Sequence, residues 1–336
     1  MAHNLLNVIM FPSNIFSLNS FTSKEMIMDL RQRTIAEEIS CTGIGLHSGK
    51  KVKLTIKPAP PNSGISFERI DISPSCNVKA SFDNVVATNM ATTIGFNGYS
   101  VSTVEHIMAA FFGMGIDNVL VQVDGEEIPI MDGSSAPFVF LLKNAGFTMQ
   151  NSHKKFLLVK KSVKIEDGNR SVKLNPSDEL KITYKIDFDH PLIKNQSYEI
   201  SFSQSTFINE ISTARTFGFL KDVQTLRNNG LAKGGSLDNA IVVDEFRVLN
   251  DDGLRYKNEF VRHKLLDFVG DLAILGYIPI GHFVVKRSGH SLNQKLLKHF
   301  MTQKKCWEVV QFRNKEECGK KSIKIPSFGA LDLIPA

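Results

Sequence analysis

Hydrophobic and polar residues alternate along 51–57 (KVKLTIK), which puts Val52, Leu54 and Ile56 on one face and lysines mostly on the other. A period of two marks a half-buried strand. The pattern recurs at 118–123 and 156–159. It returns over 180–188, where Leu180, Ile182, Tyr184, Ile186 and Phe188 share a side. Segments 104–112, 136–144, 259–275 and 292–300 read as helices, and Gly113 and Gly276 stand where C-terminal caps would fall.

Two of these helices look like versions of one another. Val104-Glu-His106-Ile-Met-Ala-Ala-Phe111-Phe-Gly113 lines up with Val261-Arg-His263-Lys-Leu-Leu-Asp-Phe268-Val-Gly270, matching valine, histidine, phenylalanine and glycine at fixed offsets. The match suggests a duplicated α+β unit on either side of a linker at 150–155 (QNSHKK). A pseudo-symmetric pair would naturally bring its two equivalent histidines to one site.

Composition bounds the picture without naming a function. A chain of 336 residues with 42% hydrophobic and 22% charged residues suits two globular domains, 28–149 and 156–336. The net charge of +6 is spread along the chain, which fits an anionic small molecule or an acidic membrane surface better than nucleic acid, for which no base-stacking motif appears. The four cysteines form no CxxC pair, so a reducing cytoplasm is expected. No apolar run approaches the roughly 20 residues of a membrane span, so stable membrane insertion is not expected. Residues 1–27 lack the basic start and long apolar run of a secretory signal and read as a disordered leader or an upstream start.

The candidate chemistry is histidine and carboxylate chemistry, and each candidate has a plainer reading. Glu105-His106 could pair a metal ligand with a base, yet Ser102-Thr-Val-Glu105 also fits a capping box. His263 and Asp267, at i and i+4, can reach one ion, and Asp271 continues the stripe. The same stripe with Lys264 also describes the solvated face of an amphipathic helix. His290 lies in a Ser-Gly-His-Ser loop, expected to be exposed and able to donate a proton, with Ser291 as the N-cap of the following helix. The stretches at 213–218 and 234–236 read only as turns. No HExxH, GxxxxGK[ST], GxGxxG or GxSxG is present.

Several motifs together carry a resemblance. Gly43-Ile-Gly-Leu-His47-Ser-Gly49, Ser102-Thr-Val-Glu105-His106, Ile128-Pro-Ile-Met-Asp132-Gly-Ser, Ala214-Arg-Thr216-Phe-Gly218-Phe, Asp238-Asn-Ala-Ile-Val-Val, Val261-Arg-His263-Lys264-Leu-Leu-Asp267 and Lys286-Arg-Ser-Gly-His290-Ser-Leu-Asn appear in order. From about Arg31 onward the chain resembles the bacterial UDP-3-O-acyl-N-acetylglucosamine deacetylase family, zinc enzymes of the committed step of lipid A biosynthesis. The resemblance implies an α+β fold of two similar domains, each a β-sheet layer packed against helices (a β-α-α-β sandwich), with the active site at their interface. An inserted element around 217–243 would line an acyl passage.

The resemblance also implies the roles. His106, His263 and Asp267 would hold zinc, with ferrous iron the alternative in the cell. Glu105 would be the general base, and His290 the cation that stabilises the oxyanion or protonates the leaving amine, with Asp271 keeping it charged. Thr216 would offer its hydroxyl to the carbonyl and Lys264 would contact the sugar. Phe217 would pack near the glucosamine, Phe188 and Arg170 would lie toward the UDP, and Gly235 and Ser236 would belong to the passage. The expected partner is a UDP-linked acylated glucosamine, acted on by a cytoplasmic monomer. Met90-Ala-Thr92 receive no role. A nucleotide-sugar binder without catalysis and a basic nucleic-acid-associated domain are the competing classes.

Overall fold

The computed structural model describes residues 30–329, so the expected leader at 1–27 lies outside the described residues. The chain folds as α+β, with two main sheets and the helices sharing one hydrophobic cluster. The first sheet has the strand order Ile39–Ile44, Lys51–Pro58, Val119–Val123, Ile65–Arg69, Cys76–Lys79. It is antiparallel except where Ile65–Arg69 runs parallel to Val119–Val123. In Lys51–Pro58 the alternation works as expected: Val52, Leu54 and Ile56 are buried while Lys51 and Lys53 are exposed.

The second sheet is built around Ile278–Lys286. Its first residues run parallel to Phe156–Val159, and the remainder is parallel to Leu180–Ile186 and antiparallel to Arg170–Asn175. Being paired on both sides suits its composition, Ile-Pro-Ile-Gly-His-Phe-Val-Val-Lys, which is nearly continuous apolar sequence. Phe188 falls just beyond the strand expected to contain it.

Five helices matter for function: α1 (Glu105–Gly113), α2 (Ala136–Ala145), α3 (Leu220–Asn228), α4 (Glu259–Ala273) and α5 (His290–Thr302). α1 is buried along its whole length and packs on α4. α2 packs against α1 and the strand Ile39–Ile44, and α5 packs against α4 and the strands Val163–Asp167 and Arg170–Asn175. The two glycines matched in the sequence comparison both permit close contact. A Cβ on Gly270 would lie 2.0 Å from the Glu105 carbonyl oxygen, and one on Gly113 would lie 2.0 Å from the Phe207 ring. Gly113 is therefore the last residue of α1, kept small by packing, and the left-handed turn after the helix falls at Gly115 (φ 66°).

Of the stretch read as a linker, residues 150–153 belong to the strand Phe147–His153, paired antiparallel with Arg31–Ile35. The 217–243 element is a strand, a helix and a strand: Phe217–Phe219 runs parallel to Ile241–Val243, with α3 between them in sequence. Among the described residues, no helix is long and apolar enough to cross a membrane.

Candidate metal centre and active site

His106 projects from the first turn of α1, and His263 and Asp267 from one face of α4. One ligand atom from each lies within 4.8 Å of the other two. Asp267 Oδ1 is 3.5 Å from His106 Nε2 and 3.3 Å from His263 Nε2. His263 donates its Nδ1–H to the Ala214 carbonyl at 3.0 Å, which fixes the tautomer and leaves the Nε2 lone pair facing Asp267. Burial pushes the His263 pKa down to about 4, so the ring is neutral at pH 7. Burial alone would raise the Asp267 pKa, but the Lys264 ammonium and the His290 charge oppose it, and the carboxylate is held well below its ordinary range. Two imidazoles and an ionised carboxylate are the donor set of a three-ligand metal centre that keeps a coordination position open. The residues fit a divalent ion.

The plainer reading of α4 does not hold. His263, Asp267 and Asp271 are buried, so this polar stripe faces the interior instead of bulk water. Lys264 bends back and donates from Nζ to Asp267 Oδ2 at 2.6 Å, which leaves Oδ1 for an ion.

Nor does the capping box form. The N-cap of α1 is Val104, without a side-chain cap, and Ser102 instead makes a bridge to Glu127. Freed from capping, Glu105 turns inward. Its Oε2 accepts the Thr92 backbone N–H at 3.0 Å, and its Oε1 lies 3.8 Å from His290 Nε2. Burial raises the Glu105 pKa above the ordinary carboxylate value, with the His290 charge opposing.

The expectation for His290 also needs correction. It is the first residue of α5, with Gly289 and not Ser291 at the N-cap, and it is 8% exposed. Asp271, fully buried beneath it, accepts its Nδ1–H at 2.9 Å. Burial lowers the His290 pKa, but Asp271 and Glu105 outweigh that and carry it up to about 9. A cationic His290 and a neutral His263 thus coexist because carboxylates surround the first and desolvation dominates the second.

These groups open into a cavity of about 630 Å³ that Thr216, Phe217, Phe188 and Arg170 also line. Thr216 is set by its backbone, N–H to the Gly133 carbonyl at 2.8 Å and C=O from the Ile241 N–H at 2.8 Å. Next to it, buried Arg215 ties this loop to the start of α4 through Glu259 at 2.9 Å. Phe217 packs edge-on against Phe188 with ring centroids 5.7 Å apart. Arg170 pairs with Asp167. Asp222, Thr225 and Leu226 bring α3 to the same cavity. Gly235 and Ser236 do not line it; the Ser236 backbone N–H donates to Asn239 Oδ1 at 2.9 Å and closes a turn. Two contributors were given no role from the sequence, although His47 stands in the Gly43–Gly49 motif. His47 lines the cavity with its backbone N–H held by buried Glu127 at 2.8 Å, and Thr92 sits beneath Glu105.

The profile of one family, described as LpxC, UDP-3-O-acyl N-acetylglycosamine deacetylase, matches residues 32–302. The chain belongs to this family. Similar to it are the UDP-3-O-acyl-N-acetylglucosamine deacetylases of Acidithiobacillus ferrooxidans (51% identical, over 84% of this chain and 94% of that protein) and Saccharophagus degradans (48%, over 85% and 95%). The enzyme of that name from Haemophilus influenzae is 48% identical over 86% of this chain and 95% of its own length. The family match covers every metal-ligand candidate, Glu105 and His290.

Proposed function

We propose that this chain hydrolyses the acetamide of UDP-3-O-acyl-N-acetylglucosamine, giving UDP-3-O-acyl-glucosamine and acetate, the committed step of lipid A biosynthesis. The observation that carries the reading is the convergence of His106, His263, Asp267, Glu105 and His290 on one cavity. Zinc, or ferrous iron in the cell, bound by His106, His263 and Asp267 would polarise the amide carbonyl and acidify the attacking water.

The chain's own residues do the rest. Glu105, in its carboxylate form, takes the proton from the attacking water through the oxygen that Thr92 leaves free. His290, cationic and fixed by Asp271, stabilises the oxyanion of the tetrahedral species and then protonates the departing amine. The Thr216 hydroxyl donates to the same oxygen. Lys264 contacts the sugar, Phe217 packs on the glucosamine, and Phe188 and Arg170 face the UDP. The 217–243 element, Gly235 and Ser236 included, lines a passage for the acyl chain. We assign the two similar halves to two domains, with the site between them. The four unpaired thiols, Cys41, Cys76, Cys306 and Cys318, favour a cytoplasmic setting.

Purified protein should release acetate from the UDP-sugar, and Glu105→Ala should lose roughly 10²–10⁴-fold in kcat while keeping its metal. Failure of the wild-type chain to release acetate refutes the reading. Metal loss in Glu105→Ala would make that residue structural instead.

A further inference from the structure

Thr92 is fully buried and touches both halves of the acid–base pair without lining the cavity. Its backbone N–H donates to Glu105 Oε2 at 3.0 Å, and its backbone carbonyl accepts the Val104 N–H at 3.2 Å, so it is docked on the start of α1. Its hydroxyl donates to Asp271 Oδ1 at 2.6 Å and lies 3.1 Å from His290 Nδ1. The chain reaches this place through a turn at Met90, whose φ is 64°.

The hydrogen accounting is tight. Thr92 has one hydroxyl proton, and the short distance gives it to Asp271. Asp271 then receives Thr92 on Oδ1 and both His290 Nδ1–H and Asn293 Nδ2–H on Oδ2, at 2.9 and 2.8 Å. The Thr92 oxygen lone pairs remain free to share the imidazolium Nδ1–H. A valine of the same shape would fill the space and keep the backbone bonds, but leave Oδ1 of Asp271 with only the 3.4 Å contact from Gln294.

We propose that Thr92 is a positioning residue for this reaction, holding Glu105 through its backbone and the Asp271–His290 pair through its hydroxyl, so that base and acid keep one fixed spacing. Serine and threonine serve; residues without a hydroxyl do not. The proposal rests on the reaction assigned above, and its test carries a readout that does not.

In the metal-loaded full-length chain, Thr92→Val should lower kcat about tenfold or more, with KM within about twofold and metal content unchanged. Thr92→Ser should recover most of the loss. Where Thr92→Val does not fold, Thr92→Ala, which removes atoms without burying a new methyl, takes its place. The second readout is the proton resonance of His290 Nδ1–H, which should shift in Thr92→Val and return in Thr92→Ser. Unchanged kcat in Thr92→Val, a Thr92→Ser variant as slow as the valine, or an unmoved resonance would each overturn the proposal. A wild-type chain that releases no acetate, with the resonance still moving, overturns the assigned reaction and supports the contact.

Discussion

Asp271 and His290 show how neighbouring charges set a protonation state. His290 is buried, and desolvation alone would keep it neutral at pH 7; its 2.9 Å bond to Asp271 and the nearby Glu105 reverse that. The pH dependence follows. His290 is protonated below about 9, so activity that needs the imidazolium falls as pH rises through that value. Glu105 must be ionised, so activity also falls as pH drops through its raised pKa. The profile of kcat/KM should therefore be a bell with its basic limb near 9, and His290→Ala should lose that limb along with most of the rate. A basic limb that stays in place in His290→Ala would assign it to another group. At this scale the sequence was half legible. The i, i+4 spacing of His263 and Asp267 already allowed a shared ion, but periodicity could not decide between an internal stripe and a wet one. The role of Thr92 was not legible, because its partner Asp271 lies 179 residues away in sequence.

At the scale of elements, the crossing of α1 and α4 brings the first histidine to the second. Gly270 makes the crossing possible, since a Cβ there would meet the Glu105 backbone oxygen at 2.0 Å. Backbone cannot move aside as the tip of a long side chain can, so Gly270→Ala should overpack the contact and cost about 1–3 kcal/mol of stability by denaturant titration. It should also depress turnover, because the displaced atoms belong to the catalytic base. An unchanged unfolding midpoint would mean the helices have slack. The existence of both helices and four of the strands could be read from periodicity, because each buries one regular face. The capping box at Ser102 misled for a physical reason: a Ser-x-x-Glu spacing describes local geometry, whereas the Thr92 backbone offered Glu105 a buried partner. The exposed loop expected at His290 failed similarly, since Asp271 beneath it makes burial of a cation favourable.

For the whole molecule, the two main sheets and their helices meet in one core, and buried Glu105, His106, His263, Asp267 and His290 line the cavity. Sequence pattern reached α+β and suggested a duplicated unit. The pairing of Ile278–Lys286 with three partner strands depends on contacts more than 90 residues apart and left no local trace. Under the proposed function, one ion held by His106, His263 and Asp267 makes this cavity an amide hydrolase. The most direct measurement is acetate release from UDP-3-O-acyl-N-acetylglucosamine by the purified chain, before chelation, after chelation and after zinc is restored. One metal ion per chain, loss of release on chelation and its return with zinc are the expected results. Full release from metal-free protein would contradict that function.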